Sequence, residues 1–422
     1  MLFMDKWKTI TTVGFALFAM FFGAGNLILP PFIGLISGHQ WPFALLGFFV
    51  TAIIAPFLGV LMVAKVGKQF TDLGWMIHPI LIKVLTLLII LCIGPLVALP
   101  RTGATTFEIG IRPLFPQLSP IWFSMFFFAI ALALSISKTK IVDIIGRFLT
   151  PFLLAVLFLL IVLGIVSPTV PVEVTSLQAA ESFVFGFTEG YQTMDVLAAV
   201  IFAGIVIAEV VNKGYTKPAD RTNVTLLSGA VSTVCLLFIY GGLIYLGATS
   251  GYAPEGKGIE RTVLLLDLSH SVLGHWGTTA IALAIGFACL TTAIALISSV
   301  GSFFEEFTKG RLPYKVGAVL CTLLAILLSV NSVDSIIRYA SYILEFIYPI
   351  VFTIILYVLV FSKWVRTPLP YVMSVVCTAV VSVMKSFGFV HWPLGGVQLE
   401  WLLPSLVVFL GAAAIGRIKS RG

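Results

Sequence analysis

Two short polar interruptions in otherwise apolar sequence carry the groups able to do chemistry in this chain. Gly23-Ala24-Gly25-Asn26 lies in the run FFGAGNLILPPF, and Thr188-Glu189-Gly190-Tyr191-Gln192-Thr193-Met194-Asp195 lies in FTEGYQTMDVLAA. A helix interrupted in an apolar solvent leaves carbonyls unpaired on one side of the break and N–H groups on the other. Each such group is costly, so the break must face protein, water or a ligand. With the first stretch running outward, carbonyls around Ala19 to Phe22 form the negative dipole end, which suits a cation. The N–H groups near Gly25 and Asn26 form the positive end, which suits a carboxylate. Gly23 and Gly25 lack a Cβ, so a ligand can approach the main chain there, although the same glycines also suit a helix-packing face.

The second interruption adds ionisable groups. Glu189 and Asp195 would be buried carboxylates, and burial within a membrane helix costs about 2.5 kcal/mol or more. Such a group binds an ammonium, orients unwound backbone, titrates, or caps free N–H groups; Asp195 fits the capping reading better than Glu189. Glu345, beside Tyr348 and Pro349, suits gating or interhelix hydrogen bonding. Farther along, Ala288-Cys289-Leu290-Thr291-Thr292 places two adjacent hydroxyls in an apolar run. Membrane threonines commonly bond their own i−4 carbonyls, yet paired neutral oxygens also suit a weakly held monovalent cation.

These groups need apolar helices to position them. The chain of 422 residues is 59% hydrophobic and 10% charged, with mean hydropathy +1.10, which excludes a soluble globular protein. Its apolar runs are long and unbroken, so they read as helices and not as strands of a barrel. They predict an all-α membrane protein with twelve transmembrane helices, near 9–36, 42–65, 76–99, 119–137, 142–166, 181–211, 223–248, 276–304, 313–330, 335–361, 370–388 and 399–416. The first stretch is longer than a signal-peptide core and is read as a retained helix.

Of the 25 Lys and Arg residues, only Arg101, Arg112, Lys257, Arg261, Arg338 and Lys385 fall on the side opposite the N-terminus. That asymmetry predicts that both termini are cytoplasmic, and explains the net charge of +7 without a nucleic-acid partner. The five cysteines and five histidines have no disulfide or metal-ligand spacing. The connection over 249–275 contains VLLLDL, which is too short to span and reads as an interfacial helix or a gating loop.

The interruptions fall in spans one and six, the first members of two successive sets of five. Five is odd, so the second set enters the membrane from the opposite side. A broken helix at corresponding places in two inverted repeats points to a secondary transporter with its site at the midplane. The repeats would cover 9–166 and 181–361 of a single domain, with the two helices of 370–418 outside them. A membrane-embedded enzyme is disfavoured, because there is no HExxH, aspartate-rich metal motif or nucleophile elbow. A channel is disfavoured by the lack of a repeated filter sequence or charged ring.

The runs GFALFAMFFGAGNLILPPFIG and FTEGYQTMDVLAA resemble the bacterial branched-chain amino acid carriers, the BrnQ type of leucine, isoleucine and valine cation symporters, over essentially the whole chain. Through that family the chain also resembles the LeuT-type fold. The resemblance implies uptake of branched-chain amino acids coupled to sodium, with no further cofactor and with the lipid bilayer as surroundings. It implies carboxylate contact by Gly23, Ala24 and Gly25, with Asn26 adjacent, and a pocket lined from span six by Phe187, Thr188, Gly190 and Tyr191, with Glu189 nearby. ACLTTAI resembles a span-eight cation motif, which implies sodium at the carbonyls of Ala19, Phe22 and Ala288 and the hydroxyls of Thr291 and Thr292. Proton coupling, or another small solute such as a different neutral amino acid or a nucleobase, is the alternative on the same fold.

Overall fold

In a computed structural model, residues 2–23, 25–137, 141–166, 170–253, 259–386 and 399–419 are described. Every regular element among them is helical. The first interruption separates α1 (Leu2–Phe21) from α2 (Gly25–Ser37). Next come α3 (Trp41–Phe48) and α4 (Ala55–Val66), joined through a π-helical turn, Phe49–Ile54. The third leg is built from α5 (Pro79–Leu91) and α6 (Ala98–Thr106), followed by α7 (Pro120–Ser137) and α8 (Ile141–Val166). The second interruption separates α9 (Ala179–Tyr191) from α10 (Asp195–Asn212). Then follow α11 (Pro218–Ala248), α12 (Arg261–Phe307), α13 (Tyr314–Leu328), α14 (Val333–Phe361), α15 (Pro368–Ser386) and α16 (Leu402–Lys419).

Seven described helical stretches are long and apolar enough to cross a membrane: Asn26–Val66, Pro79–Ile111, Asp195–Asn212, Pro218–Ala248, Arg261–Phe307, Val333–Phe361 and Pro368–Ser386. Shorter apolar helices occupy Pro120–Ile136, Leu154–Val166, Tyr314–Leu328 and Leu402–Ile415. The protein is therefore a multi-pass, all-helical membrane protein.

Three boundaries differ from the sequence reading, each for a local reason. The third leg does not end at 99 but continues through α6 and a π-turn to Ile111, bent at Gly94-Pro95, where Pro95 supplies no N–H to the preceding turn. Arg101 thereby moves from the outer side into the interior, at 4% exposure. In span six the helix runs through Tyr191, which narrows the interruption to Gln192–Met194. The VLLLDL patch forms the first part of α12, set off from the long remainder by Gly274 at φ 67°. Leu264 and Leu265 are fully buried against protein, so this helix is a packed cover and not an interfacial float.

Two close crossings fix the half-helices around the interruptions. A Cβ at Gly34 or Gly247 would collide with the main-chain oxygen of Ile244 or Pro31, so α2 and α11 touch backbone to backbone. Gly47 and Gly186 do the same for α3 and α9, against the carbonyls of Phe183 and Ala44. Small residues permit this approach where helix association depends on packing instead of water exclusion.

Candidate functional site

The site is built where the two interruptions meet. After α1 ends, the Gly23 N–H donates to the Phe21 carbonyl (2.9 Å) and the Asn26 N–H to the Gly23 carbonyl (2.9 Å), so the chain makes a tight turn before α2. After α9 ends, Thr193 Oγ1 donates to the Gly190 carbonyl (2.8 Å) and Met194 adopts φ 60°, ψ 12°. That left-handed backbone is uncommon for a residue with a long side chain and persists only when its surroundings hold it. It turns the chain so that Asp195 opens α10, with its own N–H donating to Thr193 Oγ1 (3.3 Å).

Asn26 and Asp195 join the two interruptions. Asn26 Nδ2 lies 2.9 Å from Asp195 Oδ1 and 2.8 Å from Oδ2. The same nitrogen is 2.7 Å from the Phe21 carbonyl and 3.2 Å from the Tyr240 hydroxyl. Two N–H bonds are thus shared among four oxygens, in a place where both residues are at most 5% exposed. Around this pair the Phe22 ring stacks at 6.1 Å on Tyr240, and Tyr191 and Tyr348 lie 4.4 Å apart.

Beside the pair is a cavity of about 50 Å³, whose polar lining comes from Asn26, Arg101, Thr102, Thr193, Asp195 and Thr292. Its volume lies below the ~300 Å³ at which ligand pockets generally begin, so this arrangement is a contracted one. Phe202 lines this cavity and also a larger one of about 670 Å³, which opens among Gln69, Lys83, Ser302, Glu306 and Lys309.

The opposite end is latched by charge. Arg261, at the start of α12, donates to Asp334 Oδ1 (2.6 Å) and Glu189 Oε1 (3.1 Å), and its guanidinium lies 4.1 Å from the Phe32 ring centroid. Thr262 Oγ1 donates to Glu108 Oε2 (2.9 Å), while the Val333 N–H donates to Glu108 Oε1 (2.9 Å). The cover helix is thereby tied to α2, α9, α14 and the end of the third leg.

The positions read from sequence do not all gather at this cavity. Gly23, Asn26 and Thr292 line it. Gly25 begins α2, and Ala24 lies outside the described residues. Phe187, Thr188, Glu189, Gly190 and Tyr191 do not line it, because α9 continues past them. Phe187 is buried with its carbonyl accepting from Thr51 Oγ1 (2.9 Å), and a Cβ at Gly190 would meet Thr51, so both face α3 and its π-turn. Glu189 is committed to the latch, and Glu345 borders a separate cleft with Lys385 and Glu400. Of the cation positions, Phe22 is buried and Ala19 exposed on α1, while Ala288 accepts from Thr291 Oγ1 (2.9 Å) within α12. α1 packs chiefly on α11 and α10, and it meets α12 across the small cavity, which Met20, Phe21, Thr292 and Leu296 line together.

Arg101 and Thr102 are polar lining residues that the sequence reading did not place at the site, whereas Thr193 and Met194 belong to the second interruption it named. The signal for Arg101 and Thr102 was present in PRTGATT, a polar run directly after an apolar stretch that hydropathy treats as a loop. Among the described residues no cluster of His, Cys, Asp and Glu suits a metal ion, and alkali-ion sites built from hydroxyls and carbonyls are of a different type.

Comparison with known proteins agrees with this architecture. A family model described as "Branched-chain amino acid transport protein" matches residues 6–419. The branched-chain amino acid permease BraB of Bacillus subtilis (strain 168) is 33% identical over 420 residues, covering 95% of this chain and 94% of that protein. The branched-chain amino acid permease BrnQ of the same organism is 32% identical over 418 residues, covering 94% of each chain. Among solved structures, the inward-facing conformation of Mhp1 aligns with a TM-score of 0.63 at 15% identity, covering 96% of this chain and 91% of that one. A manganese transporter from Eremococcus coleocola aligns with a TM-score of 0.60 at 13% identity, covering 96% and 93%. At such identities the structural likeness concerns the fold alone.

Proposed function

Because the chain belongs to the branched-chain amino acid transport protein family, whose members are permeases and not enzymes, we propose that it imports leucine, isoleucine and valine by sodium-coupled alternating access. The observation that carries this reading is the joining of two interrupted helices by Asn26 and Asp195 beside a buried cavity. A coupled carrier needs a site that one motion can expose to either side, and paired broken helices supply it. The closed latch at Arg261 and the wide space below Phe202 correspond to an inward-directed state.

In this reading the chain crosses the cytoplasmic membrane twelve times, with both termini inside, and 9–166 and 181–361 are inverted repeats followed by two further helices. The helix packing supports the repeat, since α1 and α2 lie on α11 as α9 and α10 lie on α3 and α4, the relation expected when spans one and two are swapped for spans six and seven. Sodium enters between α1 and α12, and binding draws Ala19 and Phe22 toward Ala288, Thr291 and Thr292. The amino acid lies at the meeting of the interruptions, against Gly23 to Asn26 and the backbone of span six. Its side chain meets Phe21, Ile93 and Leu296, apolar groups that take any of the three aliphatic chains, because one methylene changes binding by only about 1–3 kcal/mol.

Uptake into proteoliposomes tests this directly. An inward sodium gradient is expected to drive accumulation of labelled leucine, which unlabelled isoleucine and valine compete away. Accumulation under a proton gradient alone would overturn the sodium assignment, and uptake insensitive to all three amino acids would overturn the substrate class.

A further inference from the structure

Arg101 is a charge that the fold buries with no ion-paired carboxylate among the described residues. It lies on α6 beyond the Gly94-Pro95 bend and is 4% exposed. A guanidinium offers five N–H donors in a planar fork, and among the described residues this one donates from Nη1 to the Gln192 carbonyl at 2.6 Å. Among the described residues no carboxylate comes within ion-pairing distance of it. Asp195, on the same cavity, has its oxygens committed to Asn26. Burying an arginine this way is costly unless a partner compensates it.

The lining of this contracted cavity indicates the chemistry of a partner that an expanded form of it would hold. Its wall includes both Arg101 and Asp195, the uncharged polar residues Asn26, Thr102, Thr193 and Thr292, and an apolar part from Met20, Phe21, Ile93, Phe202 and Leu296. A free α-amino acid is a zwitterion whose carboxylate and ammonium are separated by one carbon and whose side chain leaves from that carbon. Such a molecule satisfies both wall charges at once and keeps the site neutral. A planar carboxylate is also the group that a guanidinium fork pairs with bidentately.

We propose that Arg101 is the receptor for the α-carboxylate of the transported amino acid, with Asp195 facing its ammonium; this rests on the reading of the protein as an amino acid carrier. The carboxylate is thereby recognised by a side chain of span three as well as by the main chain of span one. Free amino acids are selected over amides, esters and amines of the same side chain. The hydrogen bond to Gln192 makes the receptor part of the second interruption, so carboxylate binding and the geometry of that break are tied together.

The test uses purified full-length protein, labelled L-leucine, and L-leucinamide as competitor, which keeps the ammonium and side chain but has no carboxylate. In the parent protein leucine is expected to bind at least about tenfold more tightly than leucinamide, the scale of a charge-assisted pair. In Arg101→Gln that preference is expected to collapse to within about twofold, through loss of leucine affinity with leucinamide affinity kept. Arg101→Lys retains the charge without the fork and is expected to fall between the two. Equal loss of both ligands in a variant of unchanged melting temperature would show Arg101 to be only a clamp on the Gln192 carbonyl, and would overturn the proposal. An unchanged preference would do the same. If Arg101→Gln does not fold, the Lys variant carries the same comparison. Failure of the parent protein to bind leucine at all would instead count against the carrier reading, which keeps the two failures apart.

Discussion

Asn26 and Asp195, separated by 169 residues in sequence, share a hydrogen bond of 2.8–2.9 Å that ties the start of one half-helix to the start of another. Neither residue stabilises its own interruption alone. The Asn26 amide spans the gap after α1 by reaching the Phe21 carbonyl, and the same amide holds the first carboxylate of α10. Changing one interruption therefore changes the other.

Asn26→Ala is expected to lower stability by about 1.5–3 kcal/mol, because it leaves a buried carboxylate without its donor. Asp195→Asn keeps the size and removes the charge. Thermal unfolding of the two single variants and the double variant in detergent should give a coupling energy of about 0.5–3 kcal/mol. Strict additivity would contradict the direct contact seen between them.

Thr292→Ala is expected to raise the sodium concentration for half-maximal leucine uptake by about tenfold, as the loss of roughly 1.4 kcal/mol of ion binding would. Thr291→Ala should have a smaller effect, since that hydroxyl already donates to the Ala288 carbonyl. Sodium activation that is unchanged in Thr292→Ala would remove α12 from the ion site.

Breaking the latch should open the outer end. With Phe32→Cys as a reporter beneath Arg261, a membrane-impermeant thiol reagent applied from outside is expected to react slowly in the parent background. In Arg261→Ala it should react at least about fivefold faster, as the loss of a partly buried ion-pair network shifts a two-state equilibrium by a kcal/mol or more. Equal rates would mean that the ion pairs do not hold the closed state.

The glycine crossings admit no side chain. Gly247→Val and Gly186→Val each push a methyl group toward a main-chain oxygen that cannot move without its helix, so losses of about 1–3 kcal/mol or more are expected. Gly411→Ala, where added carbon meets open space, is the matched control and should leave the melting temperature unchanged.

The interruptions were legible because glycine, asparagine and carboxylates are conspicuous in long apolar runs. Less legible was where each helix stops. Glu189 reads as the polar heart of the second break, yet α9 continues two residues beyond it and turns its carboxylate toward Arg261, a partner 72 residues away. Arg101 shows the opposite error. Hydropathy assigns an arginine and five neighbouring small or hydroxylic residues to water, whereas the bend at Gly94-Pro95 carries them into the protein. Both errors have one source: burial among other helices is a tertiary property that a window along one chain does not register.

Phe202 borders both the small cavity and the wide space near Lys83, and is the lining residue that the two have in common. At the other end a whole helix, two ion pairs and the Glu108 hydrogen bonds must yield together. Side-chain turns are fast, whereas collective helix motions take microseconds to milliseconds or longer. The two ends of the site therefore differ in how much must change at once, a single side chain shared by the cavities at Phe202 against a whole network of contacts around Arg261.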